Sequence, residues 1–396
     1  SADETIAPRP RRVKANGNTL GEGRGAMKIE RVEAIPVSLP LAKPVRMAGS
    51  EVATAQNVVV KIQTDGGLTG WGECASSPTF SGETQGSILA AIDGFLAPAI
   101  LGEDPMRREA LRAAMERRLA GNHGAKAAVD IALFDLAAKS LHAPVYELLG
   151  GRSREAARVF WHLGNADPVA DAREATARMR DGFTFFKLKV GTTTVERDID
   201  AALRVREAVG PECDLGADAN QAWSVAEALR FARGAERAGL CFFEQPVEAS
   251  NLAGMAAIAR ACAVPILADE GIFTAEDVLA HAREGAAQIV SVKLLKAGGF
   301  TGALRAIHAA ETVRLPLHLT GKVAESSIAT AALVHLAVAV RDLQYGVGIT
   351  NHYLREDLVA EPIRSVAGRV RPPDGPGLGV TVDEDRLRRF RSRSRD

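Results

Sequence analysis

Short apolar segments recur at nearly even spacing in the second half of the chain, and helical periodicity fills the intervals between them. Five of these segments end on a charged residue, at Lys189, Asp218, Glu244, Asp269 and Lys293. The steps between the five are 29, 26, 25 and 24 residues, a spacing typical of parallel strands that alternate with helices. Further strands are predicted at 157–163, 315–320 and 343–349, which makes eight. The sequence therefore predicts an α/β fold in which residues 151–364 form a (β/α)8-type barrel.

The residues before this array follow a different order. Residues 27–40 alternate apolar and polar side chains, and a second strand, an Asp-Gly turn at 65–67 and a third strand come next. Helical spacing at 81–99 and 122–141 follows the strands. Strands that precede helices in this way predict an α+β domain over 27–150.

The remaining segments are predicted to be irregular. Residues 1–26 are rich in Pro, Gly, Arg and Glu and contain no apolar stretch, so we interpret them as a flexible leader and not as a signal peptide. A loop is expected at 41–50. The Pro- and Gly-rich residues 372–379 predict a non-helical segment that returns to the first domain. The basic residues 386–395 are interpreted as a solvated tail.

Charge and cysteine content exclude several classes of partner. The 396 residues include 49 basic and 49 acidic side chains, so no net charge draws the protein to nucleic acid or to a membrane surface. No apolar run has the length needed to cross a bilayer. The four cysteines form neither a CxxC pair nor a disulfide framework, which is typical of a reduced, cytoplasmic enzyme.

Carboxylates end three consecutive predicted strands. Chemistry in such a barrel lies at the carboxyl ends of the strands, so Asp218, Glu244 and Asp269 should converge there. Buried carboxylates that converge need a positive charge to neutralise them. Oxygen ligands completed by water or substrate suit Mg²⁺, or Mn²⁺, better than Zn²⁺. Any one of these acids could be a solvated loop residue, but three in register favour a metal site.

Lysines end the strands on either side of the carboxylates. Lys187 and Lys189 point to one side of their strand because side chains alternate, and two nearby ammonium groups disfavour each other's protonation. The alternative is a pair of solvated lysines on an edge strand. Lys293 ends the sixth strand, opposite the second, and Lys296 competes with it for the same role. One lysine on each face of a substrate suits removal of a proton next to a carboxylate, with the metal stabilising the enediolate.

In this order, the motifs resemble the enolase superfamily, and within it the mandelate racemase/muconate lactonizing enzyme family with a Lys-x-Lys motif. The resemblance spans 27–385. It rests on Lys187-Leu188-Lys189, Ala217-Asp218-Ala219-Asn220, Glu244-Gln245-Pro246, Ala268-Asp269-Glu270, the stretch from Val292 to Gly299, and Glu325-Ser326-Ser327. The resemblance implies a modified (β/α)7β barrel and an N-terminal α+β capping domain, completed by about residues 365–390, whose loops select the substrate.

The resemblance also implies roles for single residues. The three strand-end carboxylates would bind Mg²⁺. Lys189 and Lys293 would be the two acid/base groups, and Lys187 would help to bind the substrate carboxylate and lower the pKa of Lys189. Glu325 would lie near the substrate carboxylate or a metal-bound water, and Asn220 is a further substrate-binding candidate.

The eighth strand and the capping loops should select among the reactions of this family. The resemblance implies that a dipeptide epimerase of this family would carry an Asp-x-Asp pair on the eighth strand to hold the amino group of its substrate. Residues 346–352 contain no such pair, which disfavours a dipeptide with a free amine. Arg46 and Lys322 are candidates to bind a second carboxylate of the substrate, or are solvated cations. We predict a Mg-dependent isomerase, a racemase or epimerase of an N-substituted or cyclic amino-acid derivative. A muconate-type cycloisomerase, and then an acid dehydratase, are the alternatives.

Two further alternatives come from other functional classes. A Schiff-base aldolase also uses a strand-end lysine, but it does not explain three carboxylates. A non-catalytic binding protein on an inherited barrel would be favoured by the loss of a lysine, and both lysines are present. For the enzyme, we expect a small carboxylate substrate, no nucleic-acid or membrane partner, and a homo-oligomer.

Overall fold

The computed structural model describes residues 27–47 and 50–392, apart from the side chains of residues 46, 47 and 50. The predicted leader at 1–26 and the end of the predicted tail lie outside the described residues. Within the described part of the chain, no helix combines the length and the apolar character needed to cross a membrane.

The N-terminal sheet is an antiparallel meander in the order β1-β2-β3. Its strands are β1 (Ile29–Met47), β2 (Ser50–Thr64) and β3 (Thr69–Ala75). The predicted Asp-Gly turn joins β2 to β3. The prediction of a loop at 41–50 is wrong. β1 and β2 stay paired to their ends, with register shifts between Ile29 and Arg31 and between Pro40 and Val45, because pairing satisfies backbone groups that a loop would leave open. A bridge between Leu41 and Leu354 brings this long hairpin over the barrel.

In the described chain, five helices follow this sheet before the barrel begins. They are α1 (Gln85–Ala91), α2 (Ala97–Ile100), α3 (Arg108–Arg118), α4 (His123–Ser140) and α5 (Val145–Leu148), with a π-helical turn at Ile92–Leu96. The helix predicted at 81–99 begins only at Gln85, because Thr84 caps it by accepting a hydrogen bond from the Ser87 amide. The helix predicted at 122–141 is α4.

Helix α4 packs on β3 at two glycines. A Cβ atom at Gly72 would lie 2.0 Å from the carbonyl oxygen of Ala128, and one at Gly70 would lie 2.3 Å from that of Ala132. Only glycine leaves room for a helix backbone this close to a strand. The capping domain is therefore one sheet covered by one layer of helices.

From residue 157 onward, the described chain contains the eight strands of the barrel and two short strands, β4 and β13, that pair outside it. They are β4 (Ala157–Arg158), β5 (Trp161–Leu163), β6 (Phe185–Lys189), β7 (Asp214–Asp218), β8 (Phe242–Glu244), β9 (Ile266–Ala268), β10 (Ile289–Val292), β11 (Leu317–Thr320), β12 (Val347–Gly348) and β13 (Arg369–Val370). Strands β5 to β12 form one parallel sheet in chain order, and a bridge between Val159 and Val347 closes it. The predicted barrel is confirmed. The strand predicted at 157–163 is divided, because β4 leaves the barrel and pairs with β13.

Seven helical connections link the eight barrel strands, as a (β/α)7β barrel requires. The helices are α6 (Pro168–Arg180), α7 (Val195–Val209), α8 (Val225–Gly234), α9 (Leu252–Ala261), α10 (Ala275–Glu284), α11 (Leu294–Ala297), α12 (Phe300–Thr312) and α13 (Ser327–Ala339). Most begin at a side chain that accepts a backbone N–H of the first turn, namely Asp167, Thr194, Ser224, Asn251, Thr274 and Ser326. These caps end the loops that follow the strands, so the loops keep a defined length.

The end of the chain differs from its prediction. Residues 386–395 were expected to be a solvated tail, but α14 (Glu384–Phe390) forms there and buries Leu387. Beyond the helix, the Ser392 amide donates a 2.9 Å hydrogen bond to the Pro36 carbonyl oxygen of β1. The C-terminal segment is thus packed against the capping domain, since one apolar side chain anchors an otherwise charged helix.

Buried polar contacts fasten the capping domain to the barrel. The Glu73 carboxylate of β3 accepts hydrogen bonds from the Ser326 amide at 3.0 Å, the Ser326 hydroxyl at 2.5 Å and the Ala329 amide at 3.1 Å. A carboxylate at the start of α13 is favoured by the helix dipole. Asp130 of α4 accepts a 2.7 Å hydrogen bond from the Thr301 hydroxyl at the start of α12. Both contacts hold the cap above the carboxyl ends of the strands.

Aromatic rings fill the barrel at the amino ends of its strands. Phe160, Phe185 and Phe242 pack there with two aliphatic side chains. Gly216 of β7 leaves the space that Phe242 occupies, since a Cβ atom at Gly216 would lie 2.2 Å from that ring. The barrel is therefore closed at this end and can open only at the opposite one.

We expect Gly216→Ala to destabilise the protein. The added methyl group would press on the Phe242 ring, which other aromatic rings hold in place, and such overpacking costs about 1–3 kcal/mol. Urea unfolding measures the loss. Gly66→Ala is the matched control, because its nearest neighbouring atom is 4.0 Å away, and it should change stability by less than about 0.5 kcal/mol. Equal unfolding free energies for the two variants would contradict this account of the barrel core.

Candidate active site

A cavity of about 820 Å³ opens at the carboxyl ends of the barrel strands, below the β1–β2 hairpin. The hairpin contributes Lys43, Pro44 and Val45 to its wall, and the loop after β3 contributes Phe80. The predicted site residues that line the cavity are Lys187, Lys189, Asp218, Asn220, Lys293 and Lys322. The strand ends and the capping loops thus meet around one space, as the motif order predicts.

The three predicted metal ligands lie near one another, and Asp218 among them lines the cavity. Asp218 and Glu244 are direct neighbours in register on β7 and β8, and Asp269 follows β9. All three side chains are 1% exposed or less. Lys187 joins two of them, because its Nζ lies 2.9 Å from Glu244 Oε2 and 3.5 Å from Asp218 Oδ2. The parallel register therefore brings together acids that are 26 and 25 residues apart in the sequence.

Lys189 occupies one side of the carboxylate group. Its Nζ donates hydrogen bonds to Asp218 Oδ2 at 2.6 Å and to Asn220 Oδ1 at 2.8 Å. Asn220 has a left-handed backbone, with φ of 41°, and its Nδ2 donates to Glu270 Oε1 at 2.9 Å. Asn220 therefore links Lys189 to Glu270, across the ends of β6, β7 and β9.

Two lysines occupy the opposite side. Lys293 donates a 2.5 Å hydrogen bond from Nζ to Asp269 Oδ2, and Lys296 donates a 2.6 Å hydrogen bond to Asp269 Oδ1. Lys296 lies in the short helix α11 with its side chain fully buried, whereas Lys293 directly follows β10 and lines the cavity. The geometry favours Lys293 as the lysine that can meet a substrate and leaves Lys296 as a buried partner of Asp269.

The pKa values of the buried carboxylates in this cluster shift in different directions, because the lysines are not shared evenly among them. Burial raises the pKa of Asp269, but Lys293 and Lys296 lower it well below its usual range. Burial, followed by the charge of Asp218, raises the pKa of Glu244 to about 8. Burial lowers the pKa of Lys187, but the carboxylates of Glu244 and Asp218 outweigh burial and raise it overall. The mutual repulsion predicted for the paired lysines is thus outweighed at Lys187 by the charges of Glu244 and Asp218.

The cluster has the donor set of a divalent cation site. Glu244 Oε1 is sealed from solvent and accepts no hydrogen bond, so this buried oxygen lacks the partner that a cation would supply. Asp218, Glu244 and Asp269 together provide the hard oxygen ligands that Mg²⁺ and Mn²⁺ prefer. Among the described residues, no group of three such side chains is arranged as an assembled metal site. Asp218 and Asp269 are instead turned towards the lysine ammonium groups described above, so metal binding requires them to exchange those partners.

The other substrate-binding candidates are placed differently. The Lys322 Nζ lies 5.7 Å from the centre of the Phe80 ring, beside Lys293, whose Nζ is 5.5 Å from the same ring. Burial and the charges of Lys293 and Lys189 lower the pKa of Lys322 to about 8. Glu325 lies behind the cavity wall, where burial and the nearby Glu73 raise its pKa to about 8. The Arg46 side chain lies outside the described residues.

Several residues that line the cavity were not predicted from the sequence, and two of them, Glu270 and His162, lie next to predicted site residues. Glu270 lines the cavity beside Asp218, and its Oε2 is buried without a hydrogen-bond partner. Its position directly after Asp269 was a signal that the strand-end rule could have used. His162 also lines the cavity, from the first barrel strand. Only the alignment of β5 with β6 shows that His162 stands beside Lys187, so the sequence offered no comparable signal.

Two known families of domains match this chain. Residues 29–150 match the mandelate racemase/muconate lactonizing enzyme N-terminal domain, and residues 170–386 match the enolase C-terminal domain-like family. The L-Ala-D/L-Glu epimerase of Bacillus subtilis is 33% identical over 89% of this chain and 97% of that protein. A chloromuconate cycloisomerase of Cupriavidus pinatubonensis is 34% identical over 89% of this chain and 96% of that protein.

Solved structures agree with these relatives. A muconate lactonizing enzyme from Pseudomonas fluorescens, complexed with muconolactone, has a TM-score of 0.90 and 34% identity, over 93% of this chain and all of that one. The N-succinyl Arg/Lys racemase of Bacillus cereus has a TM-score of 0.89 and 32% identity, over 92% of this chain and 98% of that one. None of these relatives is an aldolase or a binding protein, so those alternatives lack support. The chain therefore belongs to the mandelate racemase/muconate lactonizing enzyme family of the enolase superfamily, and it is an isomerase of the racemase, epimerase or cycloisomerase kind.

Proposed function

We propose that this isomerase removes the proton α to the carboxylate of a small substrate, in the presence of Mg²⁺, and returns a proton to the opposite face. The substrate class is an N-substituted or cyclic amino-acid derivative, which the enzyme racemises or epimerises. One observation carries the proposal: Lys189 ends β6, Lys293 follows β10 on the opposite side of the barrel, and both line the cavity, with the carboxylate cluster between them. The cytoplasmic location and the homo-oligomer remain predictions.

The two lysines would share the proton transfers. Lys189 acts on one face of the α carbon and Lys293 on the other, so each is base for one enantiomer and acid for its mirror image. Lys187 stays beneath them and holds Glu244 and Asp218 in place. Phe80 lies over Lys293 and keeps water from that side of the cavity, which strengthens the electrostatic interactions there.

Asp218, Glu244 and Asp269 would hold the divalent cation. Its contribution would be to stabilise the negative charge that develops on the substrate carboxylate as the α proton leaves. The buried, unpartnered Glu244 Oε1 supports this assignment, and enzymes of this family generally depend on a divalent metal. Lys189 and Lys293, which now pair with Asp218 and Asp269, would be free to turn towards the substrate when these carboxylates hold the ion.

Metal removal should inactivate the enzyme and lower its melting temperature. EDTA is expected to reduce turnover by about 100-fold or more, because a bound divalent cation stabilises the negative charge of the transition state by about several kcal/mol. Added Mg²⁺ should restore turnover and raise the melting temperature. Glu244→Gln should lose this Mg²⁺-dependent thermal shift, whereas Glu207→Gln, on the exposed face of α7, should keep it. A thermal shift that Glu244→Gln leaves unchanged would remove Glu244 from the metal site.

Deuterium exchange tests the paired lysines. In D₂O, the wild type should exchange the α proton of both enantiomers of at least one N-acyl or cyclic amino acid. Lys189→Ala and Lys293→Ala should each abolish racemisation while retaining exchange with one enantiomer, and the two variants should retain opposite ones. Circular dichroism checks that both variants fold. Equal residual exchange with both enantiomers would contradict the two-face arrangement, and no exchange in the wild type would refute the racemase proposal.

A muconate-type cycloisomerase is the second candidate, and Lys322 is the observation that favours it. In the described chain the Lys322 ammonium group forms no ion pair, and the charges of Lys293 and Lys189 affect it more strongly than those of Glu325 and Glu270. An unpaired cation in a cavity suits a second carboxylate. The same ammonium group would also suit an N-acyl substituent that ends in a carboxylate. For the racemase and for the cycloisomerase alike, Lys322 would therefore favour substrates with a second carboxylate over substrates with one.

Lys322→Met should weaken the binding of acids that carry a second carboxylate. N-succinyl and N-acetyl derivatives of one amino acid form the matched pair, because they differ in the terminal carboxylate. The KM of the succinyl compound should rise about tenfold, the loss expected for one charged contact, and that of the acetyl compound should change little. If muconate is lactonised and this reaction shows the same rise in KM, the cycloisomerase is the function. Equal changes for the succinyl and acetyl compounds would show that Lys322 binds no carboxylate.

A further inference from the structure

His162 lines the cavity from the first barrel strand, next to Trp161, whose Nε1 already donates a hydrogen bond to Glu174. It is the direct neighbour of Lys187 in the parallel pairing of β5 with β6, so the two side chains point to the same face of the sheet. Strand β5 lies opposite β9 in the barrel, so His162 faces the carboxylate cluster from across the cavity floor. Gly164, two residues further along the chain, also lines the cavity and has no side chain that could cover the imidazole.

The two ring nitrogens of His162 have different surroundings. Nδ1 is sealed from solvent and has no hydrogen-bond partner. Nε2 also forms no hydrogen bond within the described chain, but it is not among the sealed atoms. A proton on Nδ1 would bury an unsatisfied N–H group, which folded proteins almost never tolerate. The proton therefore belongs on Nε2, where it is available to a molecule in the cavity.

Packing and charge hold this ring in one state. Its centre lies 5.1 Å from that of Phe160, at 68°, and 6.5 Å from that of Tyr353, so its orientation is restricted. Burial, followed by the charges of Lys187 and Lys189, lowers the pKa of His162 well below its usual range. The imidazole is thus neutral at neutral pH, with one donor. A neutral donor can stabilise charge on an oxygen without giving up its proton.

We propose that His162 is a catalytic residue that donates a hydrogen bond from Nε2 to an oxygen of the substrate's reacting carboxylate, on the side opposite the acidic cluster. This inference rests on the proposed function. Negative charge grows on that oxygen as the α proton leaves, so the hydrogen bond is stronger in the transition state than in the bound substrate. His162 therefore acts on the rate of proton removal and less on the binding of the substrate.

The role also distinguishes His162 from the two lysines. Each lysine serves one face of the α carbon, whereas the carboxylate is common to both enantiomers. Loss of the imidazole donor should slow the reaction of both enantiomers alike. This symmetry is a signature that loss of either lysine, or a shift of one cavity wall, would not produce.

Kinetics of two variants test the donor. His162→Phe keeps a flat ring but has no donor, and His162→Gln can place an amide N–H near the position of Nε2. With the acid that the wild type exchanges fastest, His162→Phe should lower kcat about 100-fold for both enantiomers, with a smaller change in KM. His162→Gln should recover part of that loss. His308→Phe, at an exposed position on α12, is the control and should behave as the wild type.

A second measurement needs no substrate. The ¹⁵N spectrum of the histidines, assigned by comparison with His162→Phe, reports which ring nitrogen carries the proton. The Nε2–H tautomer at neutral pH is expected. An Nδ1–H tautomer, or wild-type kcat in His162→Phe, would overturn the inference while leaving the proposed function intact. No exchange by the wild type with any acid would instead overturn the proposed function, together with the role assigned to His162.

Discussion

Buried carboxylates at the ends of three neighbouring strands must be balanced by cations, and this balance governs the rest of the site. Asp218, Glu244 and Asp269 are removed from water, where an unpaired charge would be costly. Lys293 and Lys296 both pair with Asp269 and keep it ionised. Glu244 retains an oxygen with no partner, and its pKa is raised to about 8. The shortage of positive charge at this one carboxylate is what suits the cluster to a divalent cation.

The barrel supplies the geometry for that balance. In a parallel sheet, the ends of successive strands reach the same edge, so each strand adds one functional group at the same level. Aromatic packing at the amino ends, for which Gly216 leaves room beside Phe242, closes the other side of the barrel. The capping domain, fastened through Glu73 and Asp130, holds Phe80 over the open end. Fold stability and site geometry therefore depend on the same strand register.

Much of the site could be predicted because strand ends carry their own signal. Lys189 and Lys293 follow buried strands at regular spacing, and the structure places both in the cavity. The other site features have no such signal. Glu325 belongs to a motif of the family, yet it lines a separate small pocket near Glu73 and not the main cavity. The position of His162 beside Lys187 follows from strand pairing, which no single stretch of sequence displays.

Periodicity and the order of polar residues were enough, by themselves, to predict the barrel, the capping sheet and helices and the groups at the strand ends, whereas the family was predicted from the resemblance of the motifs to known ones. The tertiary structure decided which lysine pairs with which carboxylate, that the β1–β2 hairpin extends over the cavity, and that the C-terminal residues form a packed helix. Strand and helix formation depends on patterns within a few neighbouring residues. Ion pairing and burial depend instead on distances between residues far apart in the chain, and those distances exist only once the strands are in register.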